Sequence, residues 1–484
     1  MPAAFLHGAE TIELTRGTRP VRAVRTAVVG IVGTAPIHQA APGDRTVNRP
    51  VVIANETDAA RYFGARSTGF TIPAALAALF ARGRGVAIVV NVFDPAVHKA
   101  AVASASFTFN ASDTITLPHQ GVSAVVVKNA AGTTTYVADT DYTLDAAAGR
   151  ITRKAGGALA AGAAVTVAYD RPDPSAVTAA QVNGATDGSG NRTGMQALLD
   201  SATLFGFTPK LLIAPGFSTL PSVTAELASL AGRFRAHALV DAPVGTPLAT
   251  VLAGRGAAGT INFNVANKRV DLCYPYVRVF DAASGAETLE PLSQHAAALI
   301  ASVDDQEGYH VSPSNHALQG VIGLERPIGF DLRDAGSEAN RLNEAGIVTV
   351  INAFGTGFRL WGNRSSAFPG STHPEVFIPV QRTADLIAES IEQAAMERQD
   401  QPIGDALIDA IKEDVNSFLR TLVARGALID GECRFDPAQN PSTEIAAGHL
   451  TFDYDFMPPP PLERVTMRST IDLQRLGALG GQST

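Results

Sequence analysis

Cysteine, charge and long apolar runs are what this 484-residue chain has least of. Two cysteines, Cys273 and Cys433, are too few for a disulfide framework or a zinc ribbon. Charged residues make up 17% of the chain, against about 25% in an average globular protein, so the surface is lightly charged. No stretch reaches the roughly 18 uninterrupted apolar residues of a transmembrane helix, and no membrane insertion is expected. The opening MPAAFLHGAETIEL lacks the basic region and long apolar core of a Sec signal. A net charge of −8 argues against a nucleic-acid coat, which needs a basic face to release counterions.

Chemistry-bearing motifs are equally scarce. There is no Walker A pattern, no G-x-S-x-G and no H-E-x-x-H. Gly83-Arg-Gly85 and Gly254-Arg-Gly256 lack the third glycine of a dinucleotide fingerprint. The segment Asp187-Gly-Ser-Gly-Asn191 imitates a calcium loop, but Arg192 replaces its glycine and Leu198 its bidentate glutamate. Asp304, Asp305, Glu307 and His310, with His316 nearby, form the densest polar cluster, at a spacing that fits no ligand motif. His237 and Trp361 read as structural. No catalytic residue, cofactor or metal is expected.

What is present is apolar content: 46% of residues, with a mean hydropathy of +0.10, which marks a folded chain. The length suits about three domains at roughly 150 residues each. Residues 1–25 read as an extended arm, where Ile12 and Leu14 alternate with Thr11, Glu13 and Thr15 as a short strand. Arg16, Arg19, Arg22 and Arg25 follow, and protein–protein contact is their preferred role. An α/β core begins at Thr26, with buried strands at 27–33 and 86–93. A short helix is capped by Asn55 or Thr57, and Pro73 opens another over 74–82.

The texture changes over 96–171. Short alternating segments, separated by Gly, Asp and Asn clusters, predict an inserted antiparallel β-sandwich. The α/β pattern resumes over 172–334, with strands at 210–214, 236–240 and 276–280. Helices are predicted at 194–202, 222–231 and 291–303, the second closed by Gly232. Residues 335–462 read as a C-terminal α/β domain with a strand at 346–352 and amphipathic helices at 385–399 and 403–425. The fold class is therefore α/β (α+β) multidomain: a discontinuous core (26–95 and 172–334), the insertion, the C-terminal domain and two extended arms.

The second arm, 463–484, follows the proline run 458–461, which can continue neither a helix nor a central strand. Val465, Met467, Ile471 and Leu473 share one face, broken only by Ser469, and the other face is polar. Such a strand cannot satisfy its own backbone. It pairs either within its own domain or with the sheet of a neighbouring subunit, and strands at both termini favour exchange between subunits.

The order of several segments resembles the tail sheath family of contractile bacteriophages, also found in contractile bacteriocins. They are Thr26-Ala-Val-Val-Gly-Ile-Val-Gly33, Pro50–Asp58 with Tyr62-Phe-Gly64, and Phe80–Val90. Asn183–Ser189, Ala197–Asp200, Leu212–Gly216, Gly308–Asn315 and Leu342–Thr349 follow, and Trp361-Gly-Asn-Arg364 precedes the two C-terminal helices.

The resemblance implies a structural subunit of the virion, assembled in the host cytoplasm, without catalytic residues or cofactor. It implies copies stacked as sixfold rings into a helical tube around a tail tube protein, with baseplate and tail terminator proteins as further partners. Contraction would drive the tube through the host envelope. The arms, through Ile12, Leu14, Val465, Met467, Ile471 and Leu473, would augment neighbouring subunits' sheets. The C-terminal domain would lie inward, with Asp409, Lys412, Glu413, Asn416 and Arg420 on a candidate tube-facing helix, and the insertion would face outward. The alternatives are the sheath of a headless bacteriocin, or an α/β enzyme or ligand-binding protein that uses the sandwich as an accessory domain.

Overall fold

Continuous β-branched runs determine the centre of the molecule. In the computed structural model, which describes Val21, residues 23–83 and residues 85–478, Val28–Gly33, His237–Asp241 and Val270–Cys273 are buried at every position. Strands without a polar side must be covered on both faces. They lie in an eight-stranded sheet, ordered Phe358–Trp361, Ile347–Asn352, Val270–Cys273, His237–Asp241, Leu211–Ile213, Val28–Gly33, Val86–Asn91, Pro50–Ile53. Neighbours run parallel, except that each edge strand is antiparallel to the next. Helices Ile72–Phe80 and Leu292–Gln306 pack together on one face. The 3-10 turn Gly194–Asp200 and helix Pro221–Phe234 cover the other.

Local chemistry explains the element ends. Asn55 accepts from the Asp58 N–H and caps helix Glu56–Phe63, as expected. Gly232 does not close its helix: the turn runs on to Arg235, which takes the left-handed conformation at φ 48°. Buried Leu230, Ala231 and Phe234 hold that last turn against the sheet, and tertiary packing overrides the glycine.

The insertion is a β-sandwich. One sheet has the order Lys99–Thr108, Ala164–Pro172, Ser123–Asn129, Thr135–Tyr136; the other Thr114–Thr116, Arg150–Arg153, Tyr142–Asp145. Ile115, Val127, Ile151, Val165 and Val167 fill a core separate from the main one. Lys99 and Pro172 face each other in the register, so the chain enters and leaves through one strand pair. The insertion sits on the core at Gly121 (φ 66°), where a Cβ would come within 2.4 Å of the His38 ring.

Two expected boundaries are corrected. Ile347–Asn352 and Phe358–Trp361, assigned above to a domain of residues 335–462, belong to the core sheet: Leu272 and Cys273 pair with Ile347 and Val348. Five of the six positions in Ile347–Asn352 are buried, a pattern only a doubly covered sheet satisfies. At the other end, the arm predicted over 1–25 is not free throughout. Val21 and Val24 pack with Leu386, Ile387 and Phe418, and the Val24 N–H donates to Ser390 Oγ at 3.3 Å. The strand expected at Ile12 and Leu14, and Arg16, Arg19 and Arg22, lie outside the described residues.

No helix among the described residues is long and apolar enough to cross a membrane. Cys273 and Cys433 are buried free thiols.

Candidate assembly interface

The C-terminal unit is built from helices Ile378–Met396 and Asp405–Ala424 and the antiparallel pair Asp430–Arg434 and Asp453–Met457. Val415, Phe418, Leu419 and Leu422 form the buried stripe of the second helix, as its period predicts. That stripe packs with Leu386, Ile387 and Cys433. Gly426, at φ 76°, stops the helix.

The two strands differ in their free edges. Asn416 reaches the outer edge of Asp430–Arg434: its Oδ1 accepts from the Cys433 N–H at 2.7 Å and its Nδ2 donates to the Cys433 carbonyl at 3.0 Å. This corrects the expectation for Asn416, which is half-buried and serves the sheet rather than the exposed helix face. The Gly431 N–H is taken by Asp430 Oδ1 at 2.9 Å. In an antiparallel pair, facing residues alternate between exchanging hydrogen bonds and turning them outward. Cys433 turns outward to Asn416, so Tyr454 and Phe456, opposite Cys433 and Gly431, turn their backbone groups outward as well. Among the described residues no strand covers that edge of Asp453–Met457.

The segment expected as a strand over 465–473 forms none within the described chain. Val465, Met467, Ile471 and Leu473 are exposed at 60%, 89%, 92% and 72%. An isolated amphipathic strand has nothing to pair with, which is the physical reason. The same unit therefore carries an uncovered strand edge and an unpaired strand-like segment.

On helix Asp405–Ala424, Asp409 and Lys412 pair at 2.8 Å, and Glu413 pairs with Arg420. Asp409, Glu413 and Arg420 are exposed and Lys412 half-exposed, so these four share an outward, self-paired face. Burial of the opposite stripe sets that orientation.

The junction of this unit with the core is ionic, and only the burial pattern, not spacing, could have flagged it. Arg269 Nε donates to Asp385 at 2.8 Å, Arg235 pairs with Glu392 at 2.6 Å and Lys268 with Glu375 at 2.8 Å. Lys210 pairs with Glu389, and burial lowers the lysine's pKa although that glutamate opposes the shift. Arg382 Nη1 donates to Asp304 at 2.7 Å with both side chains almost wholly buried.

The remaining candidates resolve as structural. Asp304 is taken by Arg382, His316 pairs with Glu307 at 3.1 Å, and no metal-competent cluster exists among the described residues. Asp187 folds its loop by accepting the Ser189 and Asn191 N–H groups, each at 2.8 Å. His237 is buried against Asp271 at 3.0 Å. Trp361 stands edge-on to Phe330, ring centroids 5.2 Å apart.

A layered α/β core thus carries a C-terminal unit with both an uncovered strand edge and an exposed terminal segment. Two family profiles match the chain: residues 190–366 match the phage tail sheath protein central domain and residues 375–472 the phage tail sheath C-terminal domain. Residues 94–186 match a profile described only as a protein of unknown function. The chain is 48% identical over 483 residues to the tail sheath protein of Burkholderia phage BcepMu, covering 99% of this chain and 100% of that one. It is 27% identical to the tail sheath protein of Escherichia phage P2 over 96% of each. In fold it resembles the contracted sheath of the extracellular contractile injection system PVC, with a TM-score of 0.60 at 15% identity over 98% of this chain and 100% of that one. The chain belongs to the phage tail sheath family, and it is a structural subunit of a contractile tail.

Proposed function

We propose that each subunit donates its C-terminal arm to the uncovered edge of Asp453–Met457 in a neighbour. The observation that carries this reading is the coexistence, in one chain, of that edge and of the exposed alternation Val465, Met467, Ile471, Leu473. Strand addition supplies main-chain hydrogen bonds for affinity, and the alternating side chains supply register. The segment around Ile12 and Leu14, outside the described residues, is assigned to the same mesh.

When the receiving subunit passes its own arm on to a further copy rather than back, the contact is heterologous and propagates as rings and a helical tube around the tail tube. Folded domains then turn as rigid bodies while the arms act as hinges, and contraction drives the tube through the host envelope. The work is done by assembly rather than by catalysis. The exposed face Asp409, Lys412, Glu413 and Arg420 is the tube-facing candidate, and the insertion faces outward. Baseplate and terminator proteins close the ends, the sheath is assembled in the host cytoplasm, and a phage tail is preferred over a headless bacteriocin.

Negative-stain microscopy of the purified chain, with and without residues 464–484, tests the mesh. The full chain forms tubes or stacked rings of uniform width, and the truncated chain stays dispersed. Tubes from the truncated chain would refute arm exchange.

A further inference from the structure

Arg364 stands where the core ends and the C-terminal unit begins. Its backbone bridges Phe377, and the next residue, Ser365, donates its N–H to the Val376 carbonyl at 2.8 Å. The guanidinium lies 4.0 Å from the ring centroid of Phe368 and 4.8 Å from that of Phe377. Held against two rings, the planar group has little rotamer freedom left to lose, and its N–H fork points in a set direction. That fork grips Glu463: Nε donates to Oε1 at 2.8 Å and Nη2 to Oε2.

Glu463 is also the last tethered residue of the chain's described part. Pro458 is buried, but every residue from 464 to 476 is exposed. Among the described residues, no backbone hydrogen bond ties 464–471 to the body. An exposed ion pair contributes little to the stability of a fold. A bidentate pair with one partner locked between aromatic rings does something else: it fixes a point and a direction.

We infer that Arg364 is a positioning residue for assembly: by holding Glu463 it sets where, and at what angle, the C-terminal arm leaves the subunit. This rests on the arm-exchange reading. An arm released from a fixed post samples fewer orientations, so a larger fraction of subunits is ready to pair, and apparent affinity rises with that fraction.

The test compares the full chain with its Glu463→Gln and Arg364→Lys variants and with a chain lacking 464–484. The glutamine substitution removes the acceptor's charge, whereas the lysine substitution keeps the donor's charge but loses the fork. Two readouts are taken: the lowest concentration that sediments as polymer, and a distance distribution by pulsed electron resonance between labels at Met467→Cys and Ala447→Cys. Cys273 and Cys433 are buried, which shields them from the label. Glu463→Gln is expected to raise the polymerisation threshold roughly three- to tenfold and to broaden the distances, with the melting temperature of the dispersed subunit unchanged. Arg364→Lys falls between it and the parent.

If the truncated chain fails to polymerise while Glu463→Gln matches the parent in threshold and distances, arm exchange stands and the positioning role is wrong. If the truncated chain polymerises normally, both fall together.

Discussion

Arg382→Ala is expected to cost about 3–5 kcal/mol, because it strands Asp304 in the interior. The Arg382 and Asp304 side chains are only 5% and 1% exposed, and their fork-to-fork contact joins the last turn of helix Leu292–Gln306 to helix Ile378–Met396. Burial opposes the arginine's charge, but Asp304, Asp271 and Asp385 together outweigh it and hold its pKa above the usual value. Removing the arginine leaves Asp304 with neither water nor counter-charge. Replacing both partners by leucine removes that penalty, so Arg382→Leu/Asp304→Leu is expected to recover most of the loss. Urea unfolding followed by fluorescence suits the test, since Trp361 is the only tryptophan and packs, half-buried, on Phe330 at the edge strand of the core sheet. Dilute protein keeps polymerisation out of the measurement. A loss below about 1 kcal/mol for Arg382→Ala, or a double variant as unstable as the single one, would refute this account of the junction.

Further predictions concern sites elsewhere. Asp241 is buried, and desolvation raises its pKa to about 6, so the folded state binds the proton more tightly. Its contribution is therefore present at low pH and lost as pH rises from about 4 to about 6. Asp241→Asn removes this slope, improving by roughly 3 kcal/mol relative to the parent across that window; an unchanged difference between urea midpoints at pH 4 and 6.5 would count against it. Asn416→Ala unpairs the N–H and carbonyl of buried Cys433, costing about 2 kcal/mol, and hydrogen exchange at the Cys433 amide should quicken; unaltered protection would show that the sheet does not need the clamp. Excising 99–172 and joining the facing strand ends should leave tubes intact by microscopy, whereas aggregation would show that the core depends on the insertion.

Much of the fold was legible where a single periodicity decides the structure. Val28–Gly33 and His237–Asp241 are continuous apolar runs, and such runs belong at the centre of a covered sheet. The insertion betrayed itself by turn residues at regular spacing. What escaped depends on contacts distant in sequence. That Ile347–Asn352 joins Val270–Cys273 is a pairing across more than seventy residues, which no local pattern encodes. Asn416 sat on the polar side by helical spacing, but a polar side chain next to a strand edge finds backbone to serve. Val21 and Val24 looked like arm because they are isolated apolar residues, and only the shape of the C-terminal cluster gives them a place. The ionic junction was equally hidden, since acidic residues on helix Ile378–Met396 and isolated basic residues beside the core strands read as solvated until a partner surface is known.

The uncovered edge of Asp453–Met457 has a further consequence when it receives the arm of another copy. Each subunit then carries one giving element and one receiving element that cannot substitute for one another. A polymer of such units is polar throughout, and its two ends are chemically unlike. The terminal subunits at one end expose empty edges; those at the other expose unspent arms. A cap that fits the first presents a strand, and a cap that fits the second presents an edge. Length control and direction of growth can thus be set independently, by two proteins that need have nothing in common.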